Sequence, residues 1–328
     1  MESDSIFSKK SDVPVSGNNA SPTNHTIIST LSQEERQYSQ QLHQYQGFWC
    51  FPAYLEGIVS AQEHFIAQPT DIIACSHPKS GTTWLKALCF AILTRKQFSE
   101  SSTNPLLTEL PHDIVPLIDH LAYNRDPDLP LVATHIPYTS LPKSIIESKC
   151  KIIYICRDPK DLLISLWHFS GKMRGTSAEA FPLEEAYEKF CEGVIPYGPY
   201  WDHVLGYWKA SLQFPERVLF IKYEDLQNDN FSYVKRMAEF MGCPFSMEEE
   251  RQGLVQKVVD LCSFEFLSNL EVNKSKKHTS AAGPFRIENN AFFRRGKVGD
   301  WKNYLTAEMA ARIDQITEQK FSDSGLAF

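Results

Sequence analysis

The stretch Asp71–Thr94, DIIACSHPKSGTTWLKALCFAILT, constrains the fold more than any other. Ile72-Ile73-Ala74-Cys75 is a short apolar run with two β-branched residues, which suits a buried strand. Ser76 to Gly81 then reads as a turn. Pro78 bars a continued strand, and Gly81 permits backbone shapes that other residues resist. From Thr82 the spacing is helical: Trp84, Leu88 and Ile92 share one stripe, with Leu85 and Cys89 beside it. The segment is therefore expected to be strand, tight loop, helix.

The chemistry sits at the joint. A helix begins with N–H groups that lack intrahelical partners, and with the positive end of its dipole. An anion placed there meets both. This turn adds the Lys79 ammonium and the hydroxyls of Ser80, Thr82 and Thr83 around one glycine, followed by Trp84. The order Lys-Ser-Gly-Thr-Thr is not the Gly-x-x-x-x-Gly-Lys-Ser/Thr of a Walker A loop. An ordinary loop with a solvated lysine is the plainer alternative; the crowding of donors favours an anion site.

With 328 residues the chain can form one large α/β domain. Its 33 basic and 40 acidic residues give a net charge of −7, which argues against a broad nucleic-acid footprint. No apolar run reaches the length of a membrane helix. The opening MESDSIFSKKSD has neither the apolar core of a secretory signal nor the arginines of a transit peptide, so a cytoplasmic location is expected. The eight cysteines include no C-x-x-C pair. They are expected to be buried free thiols in a reducing compartment, and no metal site is expected.

Along the chain, residues 1–40 form an expected disordered tail, rich in Ser, Asn, Asp and Pro, before a domain at 41–328. Glu34–Tyr45 reads as polar helix, and Tyr54–Phe65 as a second helix. Pro130–Pro137 reads as a short strand with His135 at its carboxyl end, where open parallel sheets bind ligands. Cys150–Cys156 is the clearest strand. Arg157-Asp158-Pro159-Lys160-Asp161 breaks it, and Leu162–Phe169 reads as helix with Ser165 in its early part. Arginine suits bidentate grip on phosphate, although a salt bridge from Arg157 to Asp158 or Asp161 is an equal reading. Arg217–Ile221 is another buried strand. Met247–Val259 reads as one helix, Lys274–Lys297 as a long irregular stretch with a basic end, and Trp301–Lys320 as an amphipathic helix. Apolar strands alternating with helices imply a single α/β domain with a central parallel sheet flanked by helices.

Taken together, Pro78–Lys86, Thr134–Pro137, Tyr154–Asp161, Lys222–Leu226 and Phe293–Lys302 resemble the motifs of the cytosolic sulfotransferase family, in order, over roughly residues 47–328. Gln46–Trp49, Ser263-Phe264 and Leu270–Lys274 resemble its plant flavonol sulfotransferase-like branch. The resemblance implies a P-loop-kinase-like sulfotransferase fold. It also implies metal-independent transfer of a sulfuryl group from 3′-phosphoadenosine 5′-phosphosulfate (PAPS) to a small apolar acceptor such as a flavonol, hydroxyjasmonate or steroid. It assigns the 5′-phosphosulfate end to Lys79, Ser80, Gly81, Thr82 and Thr83, and the adenine stack to Trp84. The 3′-phosphate falls to Arg157, Ser165, Arg294, Arg295 and Gly296. Tyr223, Cys262 and Phe264 take the adenine side, His135 is the general base, and Lys79 steadies the leaving phosphate.

Some positions depart from the family pattern. Ala133 stands where animal members often carry lysine, Cys262 replaces a frequent threonine, and Arg295 replaces the usual lysine. His77 replaces an apolar residue and is expected to alter the acceptor-side surface. The animal dimer motif is only partly present, so a monomer or weak homodimer is expected, with no nucleic-acid or membrane partner. Trp49, Phe51, Tyr138, Trp167 and Phe169 are candidates for an aromatic acceptor pocket. The rivals are a small-molecule or nucleotide kinase, and a non-catalytic ligand-binding protein on the same scaffold.

Overall fold

The computed structural model describes residues 33–34, 42–98, 103–120, 125–173, 177, 181–279 and 286–328. The chain enters through a small antiparallel sheet of β1 (Gln33–Glu34), β2 (Leu42–Tyr45) and β3 (Phe48–Cys50). This corrects the expected helix over Glu34–Tyr45. Tyr45 pairs with Phe48 across a two-residue turn, and both Gln46 and Gly47 have positive φ, 50° and 87°. That is the mirror-image turn whose twist matches a hairpin. Apart from Gln33 and Glu34, the expected disordered tail at 1–40 lies outside the described residues.

Helix α1 (Pro52–His64) follows, with Pro52 in its first turn, where a missing N–H costs nothing. Next come β4 (Ile72–Ser76), α2 (Thr82–Thr94), β5 (Leu131–Thr134), β6 (Lys151–Cys156), α3 (Pro159–Met173), α4 (Leu183–Glu192), α5 (Tyr200–Gln213) and β7 (Val218–Lys222). The four strands β4–β7 form a parallel sheet in the order β5-β4-β6-β7. Their residues alternate between two cores. Ile73, Cys75, Val132, Ile152 and Tyr154 join the core under α1, α3, α4 and α5. Ile72, Ala74, Leu131, Ile153 and Ile155 join the core under α2, α6 (Asn230–Met241) and α7 (Leu254–Leu261). Burial on both faces is why these strands read as continuous apolar runs.

Other expectations need adjustment. The helix expected over Met247–Val259 is two, Met247–Arg251 and α7, parted at Gln252-Gly253; Ser246 caps the first with a full capping box. The stretch expected to be irregular holds a hairpin, β8 (Lys277–Thr279) against β9 (Arg286–Glu288). The final helix α8 (Ala307–Phe321) is capped by Thr306 and preceded by a 3₁₀ turn at Asp300–Asn303, so it starts later than expected. All eight cysteines are free. Six are buried; Cys191 and Cys243 are half-buried.

Helix α1 lies hard against the segment leading into the site. A Cβ built on Gly57 would stand 2.0 Å from the backbone oxygen of Asp119. Backbone cannot yield as a flexible side chain can. Gly57→Ala is therefore predicted to destabilise the fold by about 3 kcal/mol. Chemical denaturation compares the two; an unchanged midpoint would refute this contact.

Candidate active site

The loop after β4 is held in an uncommon shape. Lys79 has φ 69° and Gly81 has φ 113°. Gly81 is the N-cap residue of α2, and a Cβ there would meet the Tyr223 ring at 2.9 Å. The loop thus needs glycine for both conformation and space. The first helical bond runs from the Leu85 N–H to the Gly81 carbonyl, so the N–H groups before it have no intrahelical partner. Thr82 is fixed by a 2.7 Å hydrogen bond between its hydroxyl and that of Ser76.

This loop forms one wall of a cavity of about 380 Å³. Lys79, Gly81, Thr82, Thr83 and Trp84 line it from the β4–α2 joint, and Arg157 and Ser165 from the β6–α3 joint. Tyr223, Cys262, Phe264, Arg294, Arg295 and Gly296 also line it. His135 lies at the end of β5. Of the residues expected to hold the donor or act as base, only Ser80 is off the wall. It is buried, and its hydroxyl has no hydrogen-bond partner. Trp84 meets the Tyr223 ring edge-to-face at 5.4 Å. Gly296 is packed so closely that a Cβ would lie 2.4 Å from the Phe264 ring.

Positive charge is concentrated here, and Lys79 carries the part of it that no carboxylate matches among the described residues. Burial, then the neighbouring Arg157, Lys172 and Arg294, lowers the Lys79 pKa to about 7. The Lys79 ammonium lies 4.0 Å from the centre of the Phe169 ring and 3.4 Å from the Ala291 carbonyl. Among the described residues no carboxylate lies within ion-pair distance of it. Arg157 donates to the Lys297 carbonyl at 3.0 Å and lies 4.7 Å over the Tyr223 ring. Its buried Nε has no partner. Asp161, a salt-bridge candidate from the sequence, is 3.9 Å away. The expected ion pair is thus present at long range, and the same carboxylate also accepts the N–H groups of Gly299 and Trp301, at 2.7 and 3.0 Å. Arg294 pairs with Asp300, and Arg295 lies 3.3 Å from the same carboxylate.

His135 is held from several sides. Its Nδ1 lies 2.7 Å from the Ser76 carbonyl, which can only accept, so Nδ1 carries the proton and Nε2 keeps a lone pair. The buried Asp119 carboxylate accepts the Thr134 hydroxyl at 2.9 Å, the His135 N–H at 3.3 Å and the Tyr197 hydroxyl at 2.5 Å. His203 donates from Nε2 to the His135 carbonyl at 2.9 Å and accepts the Tyr154 hydroxyl at its Nδ1. Burial pushes the His135 pKa down; Asp119 and the Ser76 carbonyl oppose it without reversing it. The imidazole is therefore neutral at pH 7, with an acceptor nitrogen available. The arrangement offers cations for an anion and a base beside them.

The other expected residues are placed differently. His77 is wholly buried between the Tyr200 and His203 rings, at 5.2 and 5.3 Å, so it does not shape an exposed acceptor surface. Of the aromatic candidates only Phe169 lines the cavity. Trp167 is core, donating to the Phe181 carbonyl, and Tyr138 packs on Tyr207. Sequence reading missed His112, Gln227, Asn230, Phe292 and Phe293, which also line the wall. The two phenylalanines adjoin Arg294 in sequence, which was a usable signal. His112 carried none: it reaches the site through Thr83 and Lys86, 29 and 26 positions away. Among the described residues no group of three or more His, Cys, Asp or Glu has metal-binding geometry, and no helix is long and apolar enough to cross a membrane.

The sulfotransferase domain family matches residues 69–325. A flavonol 4′-sulfotransferase of Flaveria chlorifolia is 49% identical over 290 residues, covering 87% of this chain and 89% of that protein. Cytosolic sulfotransferase 17 of Arabidopsis thaliana is 49% identical, covering 91% and 88%. A mouse sulfotransferase crystallised with 3′-phosphoadenosine 5′-phosphate (PAP) superposes with a TM-score of 0.67 at 26% identity, covering 87% and 95%. The chain belongs to the sulfotransferase family.

Proposed function

We propose that this enzyme transfers a sulfuryl group from PAPS to the hydroxyl of a small, flat, apolar acceptor in the cytosol, with residues 41–328 as its catalytic domain. The carrying observation is the pair of cationic joints on one cavity, Lys79 after β4 and Arg157 after β6, with the buried Arg157 Nε unpartnered. A donor with phosphate groups at both ends fits two such joints. Relatives named flavonol sulfotransferases favour a flavonol-like acceptor over a hydroxyjasmonate or a steroid.

The residues present fit that donor. Lys79, Gly81, Thr82 and Thr83 surround the 5′-phosphosulfate end, and Ser80 supports the loop from within. Arg157, Ser165, Arg294, Arg295 and Gly296 form the 3′-phosphate end. Trp84, Tyr223, Cys262 and Phe264 supply the adenine surface. When bound, PAPS supplies the activated sulfuryl group. His135 takes the acceptor proton at Nε2, with Nδ1 anchored on the Ser76 carbonyl. Lys79 places its ammonium where negative charge grows on the departing phosphate.

Arg157→Ala tests the donor assignment. It removes charge-assisted hydrogen bonds of about 1.5–3 kcal/mol, so calorimetry should show PAP binding weakened roughly ten- to a hundredfold. An unchanged dissociation constant would remove Arg157 from the donor site. An acceptor screen with labelled PAPS identifies the acceptor.

A further inference from the structure

Beside the Lys79 loop runs a hydrogen-bonded chain that the mechanism above does not use. Lys86 projects from the second turn of α2 into the interior, with no exposed surface. Its Nζ lies 3.2 Å from Nδ1 of His112, and Nε2 of His112 lies 2.9 Å from the Thr83 hydroxyl. His112 and Thr83 face the cavity; Lys86 does not. A fully buried lysine is costly to keep, and here its side chain leads through one imidazole to the anion loop. This inference rests on the donor reading above and deepens it.

We propose that Lys86 and His112 are positioning residues that turn the Thr83 hydroxyl proton toward the bound anion. The chain has two proton arrangements. With Lys86 charged, its ammonium donates to Nδ1, so the second imidazole nitrogen carries hydrogen and donates to the Thr83 oxygen. The Thr83 proton is then free to point into the cavity. With Lys86 neutral, the chain can reverse: Nδ1–H donates to the amine, and Thr83 donates to Nε2. Thr83 then offers only lone pairs to the cavity, which repel an anion. Binding an anion thus selects the charged arrangement and takes up a proton.

The surrounding charges agree. Burial lowers the Lys86 pKa to about 7, while the carboxylates of Asp119 and Asp113 pull it back up. His112 is pushed well below the usual imidazole value by burial, then by Lys86, His278, His135 and Lys79. Asp113 is itself bonded to His278 at 2.7 Å. One proton near neutrality is therefore shared by the pair, and an anion in the cavity decides where it sits. The pair also supplies a second cation near the loop, in a chain with Ala133 before Thr134-His135.

Calorimetry with PAP at pH 8, in two buffers of different ionisation heat, tests this. Lys86→Met keeps the volume and removes the buried charge. His112→Phe keeps the ring packed on Phe292, 4.4 Å away, and removes both hydrogen bonds. Both variants should take up roughly one proton fewer than the wild type and bind PAP about tenfold more weakly. Lys86→Met should melt no lower than the wild type, which separates relay from scaffold. Thr83→Val should abolish the further effect of Lys86→Met. Wild-type affinity and proton uptake in both variants would overturn the relay while leaving the donor site standing. Failure of the wild type to bind PAP would overturn both.

Discussion

His135→Ala is expected to lower kcat by about 10²–10⁴-fold, the usual share of general base catalysis, with little change in PAP affinity. An acceptor hydroxyl must shed its proton as it bonds to sulfur. The only tautomer the Ser76 carbonyl permits leaves Nε2 of His135 as acceptor. Asp119 holds the backbone N–H of His135, and His203 holds its carbonyl, so the ring reaches the cavity from a fixed base. Because the folded-state pKa lies below the ordinary 6.5, the imidazole stays neutral down to mildly acidic pH. In the wild type the acid limb of kcat/KM should therefore lie below 6.5, and the variant should lose that limb. Phenols of low pKa need less help and should lose less rate. Sulfation of aliphatic alcohols by the variant at the wild-type rate would make His135 a structural residue.

Lys79→Met should leave the fold intact and cut kcat by about 10²–10³-fold, the cost of losing one donor aimed at developing charge. The side chain projects from a left-handed residue, a strained conformation for lysine. Such strain persists where surrounding structure demands it. Its folded pKa of about 7 lies far below its unfolded value, because burial, and then the nearby Arg157, Lys172 and Arg294, disfavour the charge. The free enzyme thus loses the ammonium as pH rises through about 7, giving kcat/KM an alkaline limb there. A bound anion reverses the balance and raises that pKa, so the limb of kcat should lie at higher pH. Normal turnover by the variant, with both limbs unchanged, would reduce Lys79 to a loop residue.

The parts of this fold legible in sequence were those set by short-range pattern. Strands β4 to β7 announce themselves as unbroken apolar runs because both faces are covered. The Lys79 and Arg157 joints follow directly from where those runs stop. The β2–β3 hairpin was misread because its polar residues hid a strand pairing that Gln46-Gly47 enforces through backbone shape. The Lys86–His112–Thr83 chain was invisible for another reason. Lys86 lies one helical turn from Thr83, on a helix that is apolar nearly all round, where a lysine reads as exposed. Its partner arrives from a separate short helix, Pro111–Ile114, whose position only the tertiary fold sets. Likewise Asp119 looks like any surface acid until Thr134 and Tyr197 are brought to it.

The fastening of the C-terminal stretch also bears on how turnover is timed. One carboxylate, Asp161 in the first turn of α3, accepts the N–H groups of both Gly299 and Trp301. The segment carrying Arg294, Arg295 and Gly296 is therefore tied to the rest of the domain at a few points, Arg157 adding a bond to the Lys297 carbonyl and Gln227 one to the Gly296 carbonyl. The walls contributed by β4, β5 and β6 belong to the most buried part of the molecule and should be the last to open. The roof needs a handful of hydrogen bonds to lift. On the donor reading proposed above, exchange of spent nucleotide for fresh donor would require this strip of chain to lift, and the rate of that step would cap turnover whatever the chemistry at His135.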